Sequence, residues 1–475
     1  MRKFSALILV SLLAVFALFS CSEPDVTERK SGDTVTLNVY NWGEYISDGA
    51  DDTYNVNGEF EKYFNTYLSE KYGGIKVKVN YTTYPTNEDL YNKLDSRTGT
   101  YDVIFPSDYM IEKLINEGML RPLDWSGLKS ESYYDTVDPD YKSQPYDPDN
   151  LYSVAYTYGR TGVIYNTEMV DEADLGSWEL LWNPKYKGKI LQFNNPRDAF
   201  GTAMYWKGID INSTSEDDWN ATLELLKQQK PLLQGYVNDE IFDKMTGESA
   251  AIAPYFVGDY VTMYSDNDNL AFYYPEEGVN IFVDAMCIPQ SSKNPDIAME
   301  YINFMLSPDA AIANALYLGY ASPSRFVYND DPALDGIYGE YNALYREGLL
   351  YDYFLDAEDE ENPTEAELLA AEEKVGYIFD LLYHVEGNGT YPHKDAYYHN
   401  FTPEIQRLVN AHWEDLKIHG TAEVWVHVTS GVLVGVILIF AVYTVIVKKR
   451  RSKGYRMRDR ELRRAKLERL KQNTQ

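Results

Sequence analysis

Aromatic and acidic side chains recur together at separate points along this chain of 475 residues. Carboxylates accept hydrogen bonds from ammonium groups, and aromatic faces attract cations and also pack against methylene groups. Such a combination suits a ligand whose ammonium groups are separated by methylene spacers. The candidate ligand-binding residues are Trp42, Tyr45, Ser107, Tyr109, Asn195, Asp198, Phe256, Phe282, Asp284 and Tyr320.

Alternating strands and helices would position these residues. Val35, Leu37 and Val39 alternate with polar residues and predict a first strand, 57–72 has helical periodicity, and 75–79 alternates again. This order predicts βαβ units and a mainly parallel sheet. The pattern continues with a helix after Thr86, strands at 101–105, 161–165, 250–253, 271–274 and 285–288, and helices at 217–229, from Pro295, and from Ser307 to Gly319.

Ends of strands are the places where function is expected. Open parallel sheets bind ligands beyond the carboxyl ends of their strands, and Trp42, Ser107, Asp198 and Phe256 follow predicted strands. About 390 residues of mixed α/β character exceed one comfortable hydrophobic core. We therefore expect two α/β lobes with a cleft between them.

The N-terminal segment has the pattern of an export signal. Arg2 and Lys3 precede an apolar run, so residues 1–20 are predicted to be a signal peptide. The run ends in Leu-Phe-Ser before Cys21, which resembles a bacterial lipobox and predicts lipidation of that cysteine. An ordinary signal peptide with an incidental cysteine is the alternative. Residues 21–33 are predicted to form a polar tether.

The C-terminal segment has the pattern of a membrane anchor. Residues 424–447 carry no charge, and as a helix they would be about 36 Å long, enough to cross a hydrocarbon core of about 30 Å. Trp425 lies at one end and four cations, 448–451, follow the other, which predicts a cytoplasmic tail at 448–475. The bulk of the chain would then be extracellular or periplasmic, on a cell membrane.

Net charge supports this division of the chain. The total is −31, from 43 Lys and Arg against 74 Asp and Glu. The tail carries +10 and the first 20 residues carry +2, which leaves −43 on residues 21–447. This acidity argues against nucleic acid as a partner, because the phosphate backbone requires a basic surface.

The order of motifs resembles one family, the spermidine/putrescine-binding proteins of bacterial polyamine ABC transporters, over residues 36–416. The resemblance rests on Tyr-Asn-Trp-x-Glu-Tyr at 40–45, Tyr-Asp-x-x-x-Pro-Ser-x-Tyr at 101–109, Trp-x-x-Leu-Trp-x-Pro-x-Tyr-Lys-Gly at 178–188, Asp284, and Gly-Tyr-x-x-Pro at 319–323.

This resemblance implies a fold and a function. The fold would be a two-lobed periplasmic-binding-protein-like clamp of type II, which closes on a polyamine and delivers it to the permease subunits of an ABC importer. No catalytic residue, metal or cofactor is implied. The lobes would comprise 34–155 with 285–325, and 156–284 with 326–420.

The resemblance also implies roles for the candidate residues. Trp42 and Tyr45 would belong to an aromatic box, and Asp284 would bind an amine. Where the family has two acids in one loop, this chain has Asn195 and only Asp198 remains acidic, which favours a diamine over a triamine or leaves room for a different amine. Ser107 and Tyr109 would add hydroxyl groups. The remaining members of the set would form ring walls: Phe256, Phe282 and Tyr320. The two phenylalanines stand where the family commonly has Trp.

Other functions fit parts of the same pattern. A glycoside hydrolase would also combine acids and aromatics, but no sequence pattern marks its pair of carboxylates. A binding protein for another organic cation or a sugar, or a sensor of polyamines, stays open at this point. The acid-rich stretch 352–373 is a weak candidate for calcium, because it lacks the twelve-residue calcium loop.

Overall fold

A mixed β-sheet forms the framework of the protein, seen in a computed structural model that describes residues 29–50, 53–356, 363–383 and 396–419. The chain divides into two units, 1–409 and 410–475, and the sheet and the site belong to the first. Within the described residues the strands are β1 (Thr34–Trp42), β2 (Lys76–Tyr84), β3 (Val103–Ile104), β4 (Leu120–Arg121), β5 (Ser153–Asn166), β6 (Ile190–Phe193), β7 (Leu233–Val237), β8 (Ile252–Phe256), β9 (Leu270–Tyr273) and β10 (Ile281–Pro289).

Helices connect these strands and cover the sheet. In the described part of the chain the α-helices are α1 (Val56–Tyr63), α2 (Asn87–Asp95), α3 (Asp108–Asn116), α4 (Pro196–Lys207), α5 (Glu216–Gln229), α6 (Ile241–Thr246), α7 (Val257–Asp266), α8 (Pro295–Met305), α9 (Pro308–Leu318), α10 (Asp335–Gly348), α11 (Glu365–Leu382) and α12 (Pro403–Ile418).

The helix boundaries follow local sequence signals. Thr86 caps α2 by accepting a hydrogen bond from the backbone N–H of Asp89, as its position predicts. Helix α1 continues through short π and 3-10 turns as far as Tyr72. It ends at Gly73, whose φ of +76° lies in the left-handed region that glycine adopts without a steric penalty. The predicted helix at 57–72 therefore agrees with this longer composite element.

The strand directions only partly match the predicted parallel sheet. The order is β2-β1-β3-β10-β5-β8-β6-β7, and β1 is parallel to β2 and β3, as β6 is to β7 and β8. The centre is different, since β10 is antiparallel to β3 and β5, and β5 is antiparallel to β8. The prediction of a mainly parallel sheet was therefore wrong for these central strands. Helical crossovers fix direction only for strands that they join, and β5 and β10 lie more than a hundred residues apart.

The long strand β5 links the two halves of this sheet. Ser153–Arg160 pairs with β10, whereas Thr161–Asn166 pairs with β8 and β9. The fold is thus a two-lobed α/β arrangement, with β5 shared by both sheet regions. The predicted lobe boundaries, at 155/156 and 284/285, stay a prediction.

One buried core lies between the sheet of β1 and the helices that cover it. Phe60 of α1 is fully buried and meets Tyr301 of α8 edge-on, with ring centroids 5.0 Å apart. Leu37 and Val39 of β1 are also fully buried. Burial of each such side chain contributes about 1.5–3 kcal/mol of transfer free energy. This packing holds the end of β1, and with it Trp42, in a fixed position.

Several predicted features lie outside the described residues. They are the signal peptide at 1–20, Cys21, the membrane segment 424–447 and the tail 448–475. Among the residues that are described, no helix has the length and apolar composition needed to cross a membrane. The last part of the predicted tether is described, and there Arg29 forms an ion pair with Asp296, with Nη1 2.6 Å from Oδ2.

Candidate functional site

A cavity of about 140 Å³ opens at the strand ends, and all ten predicted site residues line it. Trp42 ends β1, Ser107 precedes α3, and Phe256 ends β8. Residues that the sequence prediction did not select also line the cavity: Gly43, Glu44, Pro85, Thr86, Asn87, Glu88, Asp108, Phe193, Arg197, Val237, Asn238, Asp239, Phe242, Tyr255, Asp259, Asn280 and Tyr398.

Asp284 is a buried carboxyl group with an unused acceptor. It lies beside an irregularity in β10, between Asp284 and Ala285, and opposite Ser107 in an isolated β-bridge. Its Oδ2 accepts a hydrogen bond of 2.8 Å from the hydroxyl of Tyr45, while its Oδ1 is buried and has no partner within the described part of the chain. Burial raises the pKa of Asp284 to about 6, although the nearby hydroxyl groups of Ser107 and Tyr45 oppose this rise. The free oxygen is available to a cationic ligand.

An aromatic wall stands next to this carboxyl group. The rings of Tyr45 and Tyr320 meet edge-on at 5.6 Å, Tyr320 and Phe282 at 6.0 Å, and Phe282 and Phe256 at 5.4 Å between centroids. Edge-to-face pairs of this kind are the favourable geometry for aromatic rings. The indole N–H of Trp42 donates to a backbone carbonyl at 2.8 Å, which fixes its orientation. The wall is therefore rigid and mostly apolar.

A second acidic group lies at the start of α4. Asn195 caps this helix by accepting from the backbone N–H of Asp198 at 2.9 Å, and its amide donates to Asp198 Oδ2 at 2.8 Å. Burial raises the pKa of Asp198 to about 6. Tyr109 donates to Glu88 at 3.3 Å and accepts from Asn87 at 3.1 Å. Glu88 adds an acid that the sequence prediction missed, because a carboxylate beside a helix cap ordinarily reads as a capping residue.

A third acidic group lies next to Tyr320, whose hydroxyl donates to Asp259 Oδ2 at 2.8 Å. Burial raises the pKa of Asp259 to about 7, and the charge of Asp239 contributes. The pKa of Asp239 is itself raised by burial and by the nearby charge of Glu44. Asp259 lies three residues after Phe256 in the sequence, but only the tertiary structure brings it beside Tyr320. Asp239 and Glu44 come from distant loops that no sequence signal joins.

A single guanidinium group is present among the described residues that line the cavity. Arg197 is buried, and its guanidinium carbon lies 3.7 Å from the ring centroids of both Tyr109 and Phe401. Its Nη1 donates to the carbonyl of His399 at 2.9 Å. The same cavity is lined by seven residues with carboxyl groups: Glu44, Glu88, Asp108, Asp198, Asp239, Asp259 and Asp284. Acidic groups therefore far outnumber basic groups in its lining.

Metal binding has no support in the described part of the chain. No group of three or more His, Cys, Asp or Glu side chains is arranged there to hold a metal ion. The predicted calcium alternative at 352–373 lies partly outside the described residues. The carboxylates and aromatic rings that line the cavity are suited to an organic cation.

Comparison with known proteins gives a consistent assignment. The sequence profile of the family described as "Bacterial extracellular solute-binding protein" matches residues 62–335. The spermidine/putrescine-binding periplasmic protein of Salmonella typhimurium is 31% identical over 295 residues, which cover 62% of this chain and 79% of that protein. The putrescine-binding periplasmic protein PotF of Escherichia coli is 27% identical over 309 residues, covering 61% and 78% of the two chains.

Solved structures agree with the sequence comparison. A Listeria monocytogenes protein assigned to a spermidine/putrescine ABC transporter superposes with a TM-score of 0.61 at 28% identity, covering 81% of this chain and 99% of its own. The spermidine/putrescine substrate-binding protein PotD of Streptococcus pneumoniae gives a TM-score of 0.54 at 29% identity, with the same coverage. The predicted two-lobed fold and family resemblance are confirmed.

Proposed function

This chain belongs to the bacterial extracellular solute-binding proteins, and we propose that it captures a polyamine, putrescine or spermidine, for an ABC importer. Its relatives from Salmonella typhimurium and Escherichia coli are named for these ligands. The chemistry of the cavity supports the same ligand class independently of those names. Membership of a solute-binding family excludes the glycoside hydrolase alternative, since such proteins bind and deliver a solute without converting it.

The observation that carries the proposal is the free oxygen of Asp284. A buried carboxylate without compensation is costly, so a site of this kind favours a ligand that brings positive charge and N–H donors. Asp284 is buried and its Oδ1 has no partner among the described residues. A neutral sugar would supply hydroxyl donors but no charge, and it would leave the anionic cavity uncompensated.

Binding would proceed by closure of the two lobes around the ligand. One ammonium group would bind Asp284, and the acids at Asp198 and Glu88 would be available to another. The methylene chain would pack against the rings of Tyr45, Phe282 and Tyr320, which stand edge-to-face. The closed protein would then present both lobes to the permease subunits. The remaining predicted roles, those of Trp42, Ser107, Tyr109, Asn195 and Phe256, belong to this proposal, as do the predicted lobe boundaries.

Attachment to a cell membrane also belongs to this proposal. The lipobox-like sequence before Cys21 supports a lipid anchor, and the uncharged segment 424–447 with its four following cations supports a transmembrane helix. The solute-binding body would lie outside the cytoplasm, as the periplasmic names of its relatives suggest. The tail 448–475 would lie on the inner side.

Isothermal titration calorimetry of the 475-residue chain in detergent tests the ligand class. Putrescine and spermidine are titrated separately, with glucose as a neutral control ligand. We expect both amines to bind and glucose not to bind. No binding of either amine at millimolar concentration would contradict the proposal. Binding of glucose instead would favour a sugar-binding protein. The second candidate ligand for this anionic cavity is a different organic cation.

A further inference from the structure

Asp108 is a buried acid in the cavity wall that none of the predicted roles uses. It is the first residue of α3 and directly follows Ser107. Only 2% of its surface is exposed, and it lines the same cavity as Asp284. Its Oδ1 accepts a hydrogen bond of 2.6 Å from the backbone N–H of Tyr109. Its Oδ2 is buried and has no hydrogen-bond partner among the described residues, which is an uncommon and costly state for a carboxyl oxygen.

The backbone holds Asp108 close to Asp284. Ser107 and Asp284 form an isolated antiparallel bridge, and the backbone N–H of Ala285 donates to the carbonyl of Pro106 at 3.1 Å. Paired stretches of backbone therefore carry the two carboxyl groups. Asp108 lies at the start of α3, and Asp284 lies on β10. Each of them has one buried oxygen without a partner, Oδ2 of Asp108 and Oδ1 of Asp284.

We infer that Asp108 is an additional ligand-binding residue, which shares one primary ammonium group of the ligand with Asp284. A primary ammonium has three N–H donors, so it can satisfy both free oxygens and retain one donor for a further acceptor. The inference rests on the proposed function, because it names a second carboxyl group for the same cationic ligand. It also adds an acid to the cavity in which Asn195 stands where the family resemblance implies one.

The charges around Asp108 predict that binding of an ammonium group releases a proton, which can be measured. Burial raises the pKa of Asp108 well above its usual range, and the charge of Asp284 adds to this rise. The backbone N–H of Tyr109, the charge of Arg197 and the backbone N–H of Val283 oppose it. Burial also raises the pKa of the nearby Tyr146 hydroxyl, and the charge of Asp108 adds to this rise. The empty site therefore holds a proton up to a higher pH than exposed carboxyl groups do. A bound ammonium favours the ionised forms and releases that proton.

Arg197 offers a competing explanation, in which Asp108 serves only to balance a buried cation. The two groups attract each other, as the effect of Arg197 on the pKa of Asp108 indicates. However, Nε and Nη2 of Arg197 are also buried without a partner, so the direct ion pair is not formed. A purely structural Asp108 would influence stability but would change neither the affinity for polyamine nor the number of protons released.

The substitution Asp108→Asn separates these explanations. Putrescine is titrated into the 475-residue chain at pH 7 in phosphate and in Tris, whose ionisation enthalpies differ, so that the proton release can be counted. We expect binding to weaken by about 10- to 100-fold, the range for a hydrogen bond to a charged group, and proton release to fall relative to the unsubstituted chain.

Asp147→Asn is the matched control. Asp147 is also a buried acid, but it accepts hydrogen bonds from Leu151, Tyr152 and Ser153 and does not line the main cavity. We expect this variant to lose thermal stability and to keep the affinity for putrescine. If Asp108→Asn does not fold, affinity is measured in the smaller Asp108→Ser variant. Proton release is then counted in the unsubstituted chain.

Two outcomes would overturn the inference. One is an unchanged affinity in the variant at Asp108, which would leave it a structural partner of Arg197. The other is putrescine binding without proton release by the unsubstituted chain. A chain that binds no polyamine at all would contradict the proposed function itself, so the two failures are distinguishable.

Discussion

Single side chains decide which ligand the cavity favours. Asp284 combines burial with a free acceptor oxygen, and Tyr45 fixes the orientation of its carboxyl group through a hydrogen bond of 2.8 Å. This arrangement is pre-organised, because the carboxyl group need not move to receive a donor. Since a buried acid without a cation is unfavourable, the proposed polyamine would supply the missing partner.

Asp284→Asn tests this role directly. The amide has nearly the shape of the carboxylate but no charge, so we expect polyamine binding to weaken by about 1.5–3 kcal/mol, measured by calorimetry at pH 8. Asp95→Asn removes one acid from the exposed end of α2 and is the control for overall charge. Equal affinities in the two variants would show that Asp284 does not contact the ligand.

The buried acids also predict how binding depends on pH. Burial raises the pKa of Asp198 and Asp284 to about 6 and that of Asp259 to about 7. A cation binds their ionised forms, so affinity should be full near pH 8 and decline as the pH falls through 7 and 6. Calorimetric titrations at pH 8, 7, 6 and 5 measure this decline. A constant affinity over that range would mean that these acids lie outside the binding step.

The same groups have the opposite effect on the stability of the empty protein. Their pKa values are higher in the folded chain than the unfolded value of about 4, so the folded state binds protons more tightly between about pH 4 and 7. Their contribution to the free energy of unfolding therefore increases as the pH falls through this window. In Asp284→Asn this contribution should be smaller, which thermal unfolding without ligand can measure.

Two helices determine where the ring of Tyr320 stands. This residue follows the end of α9 at Gly319, whose φ of +69° lies in the left-handed region. The ring then passes over Gly258 at the start of α7, so closely that a Cβ atom on Gly258 would lie 2.3 Å from Cγ of Tyr320. Only glycine leaves room for the ring there. The hydrogen bond from Tyr320 to Asp259 depends on this close approach.

Gly258→Ala is therefore expected to displace the ring of Tyr320 and break its hydrogen bond to Asp259. We expect affinity for polyamine to fall by about tenfold, the equivalent of one hydrogen bond to a charged group. Gly336→Ala is the control, because Gly336 lies in α10, is exposed and has no neighbouring atom within 4 Å of the added methyl. That variant should keep its affinity and be as stable or slightly more stable. Parallel losses in both variants would point to a general effect of the methyl group.

The whole molecule contributes a long-range field. Residues 21–447 carry a net charge of −43, and a field of this sign attracts polycations from solution and raises their rate of association. Such attraction is screened over about 10 Å at 0.1 M salt. This attraction would accelerate encounter without selecting a ligand. In the proposed function, selection depends on the buried acids.

Stopped-flow measurement of putrescine binding at increasing salt tests this effect. Intrinsic tryptophan fluorescence can report the reaction, since Trp42 lines the cavity. We expect the association rate to fall by about tenfold or more between 10 mM and 0.5 M salt, while the dissociation rate changes much less. An association rate that is independent of salt would exclude electrostatic steering.

The amino-acid sequence by itself determined the local elements and the chemical character of the site. Periodicity and caps predicted β1, α1 and the cap of α2 at Thr86, because these depend on residues that are neighbours in the chain. The ten candidate residues were selected by type, position and family resemblance, and all line one cavity. Their binding roles stay a prediction.

Only the tertiary structure decided what distant segments bring together. The sequence could not predict that β5 and β10 pair in antiparallel fashion, because no crossover helix fixes the direction of strands so far apart. Glu88, Asp239 and Asp259 look like ordinary loop or cap residues until folding places them in the cavity wall. The free oxygens of Asp108 and Asp284 arise in the same way. Burial, which raises the pKa of these acids and leaves their oxygens without partners, is a property of the folded chain alone.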